Sequence, residues 1–570
     1  MTSQRRTLIV TSALPYANGP IHLGHLVEYV QSDIWCRYHK MNEDTCYHIC
    51  AEDAHGTAIM LRAQRENITP DELIRTIARE HKADFAGFHI DFTYYHSTDA
   101  PDNRNLVNMI YLRNRDAGHI SRKTISQAYD PEAKQFLPDR FIKGDCPKCG
   151  ATDQYGDNCE ACGATYASTE LKNPTSTITG TTPVEKESEH IFFKLADFTD
   201  SLQQWHAEGH VQPEVANKLR EWFEEGLADW DISRDAPYFG FRIPDETDKY
   251  FYVWLDAPIG YIASFQKYCQ SLGLDYKPYW EPDSTAELYH FIGKDIIYFH
   301  ALFWPAILEG AGLRKPTNVF AHGFLTVNSR KMSKSRGTYI EADNYLRHLN
   351  PEYLRYYFAT KLTPGLDDID LNFADLTQKI NSDLVGKVVN IASRCAGFIH
   401  KLSYSWLSNR CAEPELYQQY YAARHEICAC YEQRDYAKGM RLIMGLADQA
   451  NQYINDAAPW VIAKQTDQED AAYQVQAICS VGLNLFRLII FYLKPVLPVM
   501  TREAEIFLKT HFTTWEACAQ PLTHHQIGPF KPLMTRVDQD KLADMLTEAE
   551  TGIKPPPVDP FMRPMTEPSA

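Results

Sequence analysis

An α/β fold, with a parallel sheet split by a cysteine-rich insertion and followed by an α-helical bundle, is predicted by three observations. Strand and helix signals alternate from residue 1 to about 115 and resume after about 235, the pattern of a parallel sheet covered by helices. Between them lies an irregular stretch with four clustered cysteines. Beyond Leu384, apolar residues recur at three-to-four spacing, as packed helices require.

Taken in order, the β-branched run Thr7-Leu8-Ile9-Val10-Thr11 predicts a buried strand over Leu8–Ser12 that runs into a Pro/Asn/Gly turn. A helix is expected from about Gly24 to Lys40, a strand at Tyr47–Ala51 and helical patterns through Asp71–Gly87; residues 1–115 are the first half of the domain. Residues 116–235 break into short irregular pieces around the cysteines and read as an insertion. Strand signals return at Tyr250–Trp254 and Glu287–Ile292, each followed by helical periodicity, so 236–325 completes the same sheet. Residues 326–384 carry a lysine-rich loop. The bundle, 385–548, shows helical spacing in Val385–Ile399, Ala437–Ile454 and Gln474–Leu493, and 549–570 is a proline-rich tail or linker.

At 570 residues, with 44% hydrophobic and 23% charged, the chain has ordinary globular composition and room for several domains. A formal charge of -17 excludes a general nucleic-acid coat, so an RNA partner needs local basic patches. Arg5-Arg6 ahead of an apolar run imitates a secretory signal, but the run is short and β-branched. The greasy stretch Leu483–Leu497 is interrupted by Asn484, Arg487 and Lys494, so no membrane span is expected. Of the 14 cysteines, ten are scattered through core-like segments, which fits a reducing compartment and a cytoplasmic location.

The four clustered cysteines form two knuckles, Cys146-Pro-Lys-Cys149 and Cys159-Glu-Ala-Cys162, followed by Gly150 and Gly163. Two such knuckles place four thiolates tetrahedrally around one structural Zn²⁺ with no position open to substrate; free or redox thiols are the bland alternative. In the turn after the first strand, Gly24 lets the backbone approach a ligand, a helix start offers N–H groups to an anion, and His22 and His25 flank that point. Far downstream, Lys331-Met332-Ser333-Lys334-Ser335 offers two ammonium groups to a polyphosphate. Either motif alone fits ordinary surface residues.

Together they resemble the paired signatures of class I aminoacyl-tRNA synthetases. The resemblance implies a Rossmann-like catalytic domain in which an amino-acid carboxylate attacks the α-phosphate of ATP, bound with Mg²⁺, and pyrophosphate leaves. It assigns His22, Gly24 and His25 to ATP, the two histidines stabilising the phosphates, and gives the pyrophosphate to Lys331 and Lys334. Positioning and charge stabilisation must supply the rate. After the strand ending at Ile292, Gly293 admits a nucleoside and Asp295 is placed to bond ribose hydroxyls; a helix-capping Asp295 is the alternative.

A methionine pocket needs aromatic walls for a thioether and a polar group for the amino end. The segment from Tyr250 to Tyr261 is rich in such groups, although aromatic runs are more often core. The chain resembles the methionyl-tRNA synthetases along its length, through Ser12–Gly19, Glu52–Thr57, Trp230–Arg234 and that aromatic segment. This implies a pocket lined by Ala13, Leu14, Tyr16, Trp254, Ala257, Pro258, Tyr261, Ile297 and His300, with Asp53 on the substrate ammonium and Arg234 positioning the carboxylate or adenylate. L-methionine, ATP and tRNA(Met), including the initiator, are the implied partners.

In the bundle, Asn390 and Arg394 share a helix face, and Trp460 follows Pro459 at a helix start. By the resemblance these read the CAU anticodon; a core Trp460 and a solvated Arg394 are the bland alternative. Gly386 stands where relatives are expected to carry Asn. Residues 326–384 become a stem-contact region. The insertion is too short for a large hydrolytic editing domain, and a missing methylene is worth only about 1–3 kcal/mol, so homocysteine is expected to be cleared in the synthetic site. A monomer is expected for the chain as it stands, or a homodimer if a C-terminal domain was removed. The rival readings are another class I synthetase, a nucleotidyltransferase acting without RNA, and an inactive RNA-binding module.

Overall fold

The computed structural model describes residues 5–137, 141–156, 159, 162, 166, 170–332, 338–465 and 470–553. Ser333–Gly337, with Lys334, Gly163 and the proline-rich stretch from 554 lie outside the described residues, as does the side chain of Lys331. The chain divides into two compact units, one of residues 1–19, 46–80 and 92–321, the other of 20–45, 81–91 and 322–570.

The first unit is built on a sheet of five strands in the order Asn318–His322, Glu287–Gly293, Thr7–Ser12, Thr45–Glu52 and Tyr94–Ser97. Leu8–Ser12 runs parallel to Glu287–Phe291, and Ile49–Glu52 to Tyr94–Ser97. Leu8, Ile9 and Val10 are buried, which is why this strand reads as a continuous apolar run and not as an alternation. The order makes Thr7–Ser12 the switch point from which the chain builds outward in both directions, and a crevice opens at the carboxyl ends of such strands. There the Asp53 N–H donates to the Pro15 carbonyl and the Ala17 N–H to the Asp53 carbonyl, both at 2.9 Å, tying the turn after the first strand to the end of its neighbour.

Two expectations for this unit need correction. The strand expected at Tyr250–Trp254 is only Lys249–Phe251; it pairs antiparallel with Ser233–Asp235, outside the main sheet, and the chain is helical from Val253 to Ser271. The helix expected after it therefore begins earlier, inside the segment read as strand, and is buried from Leu255 through Phe265. The insertion is more regular than its sequence suggests. Ile120–Asp130 and Val184–Phe193 form a long antiparallel pair, joined by Trp230–Asp231, and two helices span Thr199–Ala207 and Pro213–Glu225. Strand residues such as Glu185, Lys186, Glu187 and Glu189 are exposed, leaving no apolar alternation to read.

In the second unit, helix Leu23–Met41 is held by Arg355, which is fully buried and bonds Asp33 at 2.7 Å and the carbonyls of Val496, Pro495 and Phe88 at 2.8, 3.1 and 3.2 Å. A buried guanidinium is tolerable only with its donors satisfied in this way. The bundle contains helices Asn390–Ser403, Tyr436–Ala457 and Ala471–Leu493. The last is long and apolar enough to cross a membrane, but 83% of its apolar window is buried inside the protein, and Arg487 and Asn484 bond the carbonyls of Gln520 and Leu522. It is the core helix of the bundle. The chain enters Asn390 through a π-helical stretch, Ile380–Val389, where regular α-helix was expected from Val385.

Candidate active site

In the second unit, His22 has extended backbone, φ -121° and ψ 167°, and caps helix Leu23–Met41. Its Nδ1 accepts the Gly24 N–H at 3.1 Å, and the Nδ1 of His25 accepts the His22 N–H at 3.3 Å. With both Nδ1 atoms acting as acceptors, each neutral ring carries its proton on Nε2, so each is a donor there. The rings stack at 3.6 Å. Enclosure by protein, then His22 and His81, hold His25 well below the ordinary histidine range, although its outer edge is exposed. Two donors beside a helix amino end suit an anion.

The same turn meets both flanks of the lysine loop. On one side, strand Leu325–Val327 pairs with Arg330–Lys331, placing Lys331 opposite Thr326. The connecting Asn328 and Ser329 have φ of 49° and 59°, as a two-residue hairpin turn demands. On the other side, Leu23 N–H donates to the Ile340 carbonyl at 3.0 Å, Ala342 N–H to the Ile21 carbonyl at 2.9 Å, and the rings of Tyr339 and His22 meet edge-on at 5.0 Å. A Cβ on Gly24 would come within 2.3 Å of the Met332 methyl and 3.0 Å of the His22 ring. Glycine is what allows that approach. The fold thus brings together two motifs far apart in sequence, while Lys334 lies outside the described residues.

In the first unit, the aromatic residues expected to line the pocket cluster around Tyr261, His300 and Phe299. Tyr261 donates its hydroxyl proton to His300 Nε2 at 3.0 Å, and His300 Nδ1–H donates to the Ile296 carbonyl at 3.2 Å. Burial holds His300 down to about 4, so it is neutral. His300 lies in a π-helical turn, Phe299–Phe303, a local widening often found at functional sites. Trp254 stacks on Phe299 at 4.2 Å. Leu14 packs on Gly260, where a Cβ would sit 3.1 Å from its Cδ2; Ala257, Pro258 and Ile297 are buried nearby in sequence, and Ala13 is fixed by its N–H to the Phe291 carbonyl at 3.1 Å. Sequence reasoning missed the layer behind. His290 Nε2 accepts the Trp304 indole N–H at 3.0 Å, its Nδ1 bonds the Thr11 hydroxyl at 2.5 Å, and its ring lies 4.9 Å from that of Tyr261. His290 resembled any residue of a buried strand.

Asp53, at the carboxyl end of strand Thr45–Glu52, is buried, and its Oδ1 lacks a hydrogen-bond partner among the described residues. Burial, then the nearby Asp256 carboxylate, push its pKa well up, with His55 opposing. His55 spans Asp256 at 2.5 Å and Asp99 at 3.1 Å. Burial pulls its pKa down, but the two carboxylates outweigh that and raise it to about 10. Neither partner carried a sequence signal linking it to His55, because the pairs are distant in the chain. Tyr16 bridges Asp53 through backbone pairing, and its hydroxyl would sit 2.8 Å from a Cβ on Gly56, whose φ of +112° also favours glycine.

Arg234 is half-exposed, its guanidinium 3.8 Å above the Tyr252 ring and bonded to the Ser233 carbonyl at 2.6 Å. Asp295 lies exposed in a short 3-10 turn, Lys294–Ile296, directly after the strand ending at Gly293. It caps no helix, and its Oδ1 would lie 2.5 Å from a Cβ on Gly293, so the glycine gives the carboxylate room.

The four cysteine sulfurs lie within 4.8 Å of one another, with Cys146–Cys162 at 3.8 Å and Cys149–Cys159 at 3.6 Å. Zn–S bonds of about 2.3 Å at tetrahedral angles give an edge of about 3.8 Å, so the donor set fits zinc. Backbone N–H groups of Cys149 and Cys162 point at the sulfurs of Cys146 and Cys159 at 3.4 and 3.3 Å.

In the bundle, Arg394 lies 4.6 Å over the Trp460 ring and donates to Asn455 at 2.6 Å, while Asn390 donates to Asn451 at 3.0 Å. The three expected residues therefore share one surface, with Asn451 and Asn455, one helical turn apart, added to it. Gly386 lies in the π-helical stretch, where a Cβ would stand 3.1 Å from the Asn381 carbonyl.

A family model described as tRNA synthetases class I (M) matches residues 8–396, and one described as the anticodon binding domain of methionyl tRNA ligase matches 409–532. Among solved structures the chain is similar to Mycobacterium tuberculosis methionyl-tRNA synthetase in complex with methionyl-adenylate, at 23% identity and TM-score 0.77, covering 93% of this chain and 99% of that one. The apo form of the Mycobacterium tuberculosis enzyme matches at 21% identity and TM-score 0.71, covering 94% and 99%. At such identities the likeness is one of fold.

Proposed function

Since the chain belongs to the methionyl family of class I tRNA synthetases, we propose that its histidine turn, lysine loop and aromatic pocket divide one reaction among them. It is a ligase that activates L-methionine with ATP, giving methionyl-adenylate and pyrophosphate, and charges tRNA with the methionine. In our reading the substrate is tRNA(Met), initiator included, and the protein works in the cytoplasm as a monomer.

Two separate observations support the residue assignment: Asp53 is a buried carboxylate with an oxygen lacking a partner among the described residues, and Tyr261 and His300 form a neutral hydrogen-bonded pair among aromatic rings. A cationic head and a weakly polar thioether match those two ends. Asp53 takes the ammonium. Ala13, Leu14, Tyr16, Trp254, Ala257, Pro258, Tyr261, Ile297 and His300 enclose the side chain, and Arg234 holds the carboxylate or adenylate. That carboxylate attacks the α-phosphate, and no covalent enzyme intermediate is needed. The Nε2–H groups of His22 and His25 stabilise the phosphate oxygens, Lys331 and Lys334 hold the departing pyrophosphate, and Gly293 and Asp295 receive the adenosine. Mg²⁺ arriving with ATP shares the phosphate charge.

Residues 1–115 and 236–325 are assigned to catalysis, 326–384 to the tRNA stem and 385–548 to the anticodon, read by Asn390, Arg394 and Trp460. One Zn²⁺ held by Cys146, Cys149, Cys159 and Cys162 is structural, and homocysteine is cleared in the synthetic site. Methionine-dependent ATP–pyrophosphate exchange and tRNA charging test the scheme. Asp53→Asn is expected to lose methionine affinity and Lys334→Ala to lose turnover; wild-type activity in either variant overturns its assignment.

A further inference from the structure

Arg234 is anchored from the inserted segment. His190, on strand Val184–Phe193, has no exposed side-chain surface, and its ring nitrogens face two carboxylates, Nδ1 with Asp231 at 2.7 Å and Nε2 with Asp235 at 2.9 Å. Ionised carboxylates only accept, so both nitrogens carry protons and the ring is an imidazolium. The two aspartates bracket Ser233-Arg234. Asp231 also accepts the Ser233 N–H at 3.1 Å and its hydroxyl at 3.2 Å, and the Ser233 hydroxyl accepts the Ile191 N–H at 2.9 Å. Asp235 accepts from the Ser188 hydroxyl at 3.0 Å and from the Lys249 ammonium. On the neighbouring strand the residue opposite His190 is Lys123, whose ammonium is taken by Asp229 at 2.6 Å. Arg234 itself lies 3.5 Å from Asp231.

We propose that His190 is a positioning residue for methionine activation: bridging Asp231 and Asp235, it fixes the short strand Ser233–Asp235 so that the Arg234 guanidinium stays on the Tyr252 ring. The proposal rests on the reading that Arg234 holds the methionine carboxylate or adenylate. Burial opposes the charge on His190, but the two carboxylates outweigh it and raise its pKa. A neutral substitute leaves two carboxylates without their shared cation, and they separate. Since misplacing a positioning group by about 1 Å can cost about 100-fold in rate, a small displacement of Arg234 suffices.

The test is a double-mutant cycle in methionine-dependent ATP–pyrophosphate exchange, with wild type, His190→Gln, Arg234→Ala and the double variant. His190→Gln is expected to lower kcat at least about tenfold in the wild-type background and not at all in the Arg234→Ala background. It is also expected that wild type loses activity on the alkaline side as the ring deprotonates, on a limb absent from Arg234→Ala. Equal losses in both backgrounds would mark a merely structural role and overturn the proposal. Impaired Arg234→Ala with unimpaired His190→Gln would overturn it alone; a fully active Arg234→Ala would remove the reading beneath it. Should His190→Gln fail to fold, Asp235→Asn, which leaves the His190–Asp231 contact in place, takes its place in the cycle: a loss confined to the wild-type background supports the proposal, and equal losses in both backgrounds overturn it.

Discussion

His22 and His25 fix each other's chemistry. The backbone N–H of His22 occupies Nδ1 of His25 at 3.3 Å, while His22 turns its own Nδ1 to the Gly24 N–H. Both rings are thereby locked as Nε2–H donors, a preorganisation that costs nothing at the moment of reaction. Replacing His25 by Ala removes a donor and the reciprocal cap together. We expect kcat for pyrophosphate exchange to fall by about 100-fold or more, with the methionine KM little changed; a rise in that KM with kcat intact would place the histidine elsewhere.

With Asp53 on the methionine ammonium, as proposed, methionine binding is expected to depend on pH in one direction. Burial, then Asp256, raise its pKa, so the proton stays on the carboxyl to higher pH than usual. The ammonium needs the ionised form. Methionine KM is therefore expected to fall about tenfold per pH unit on the acid side of the raised pKa and to flatten above it. Asp53→Asn should raise KM and abolish the slope. A wild-type profile that stays flat down to the acid limit of folding would contradict this.

His55 has the opposite consequence, for stability. Its pKa rises from 6.5 to about 10 because Asp256 and Asp99 outweigh burial. A group raised on folding stabilises fully below its unfolded pKa, and that stabilisation is lost as pH rises through the folded value. His55→Gln should therefore lower the thermal midpoint at pH 6, with the gap to wild type narrowing toward pH 10. A gap that stays constant across this range would point to packing in place of charge.

Such charge pairs show where sequence reading stops. The apolar strand Thr7–Ser12, the cysteine knuckles and the two nucleotide motifs are local patterns, and each sits in a run of neighbours that announces it. His55–Asp256 and His190–Asp231 join residues distant in the chain, and nothing in either segment names its partner. The helix Val253–Ser271 was expected, but its start was misplaced, because the aromatic, β-branched run Tyr250–Trp254 reads as strand while its last two residues already belong to the helix. The strands of the insertion were hidden because their exposed charges do not alternate with apolar residues.

Zinc should be separable from chemistry. Four sulfurs at tetrahedral spacing leave no open ligand position, so the ion would stabilise the small sheet of Ile142–Asp145, Gln154–Tyr155 and Lys172–Ser176. Metal analysis should find about one zinc per chain, and Cys149→Ser should lower that occupancy and raise protease sensitivity within 141–176. Pyrophosphate exchange should survive better than overall fold integrity of that segment; abolition of exchange with the segment intact would argue for a catalytic metal.

The anticodon surface gives the cleanest split between the two half-reactions. Arg394 lies 4.6 Å over the Trp460 ring and donates to Asn455, so on the proposed reading the guanidinium covers one face of the indole and a base stacks on the other. Stacking a base on an aromatic ring is worth about 1–3 kcal/mol, roughly 5- to 150-fold in affinity. Trp460→Ala should therefore raise the tRNA KM within that range and leave methionine-dependent pyrophosphate exchange untouched, because exchange requires no tRNA. Asn455→Ala should give a smaller effect of the same kind, since it frees Arg394 without removing the ring. Loss of exchange in Trp460→Ala would mean that the indole supports the bundle and not the anticodon.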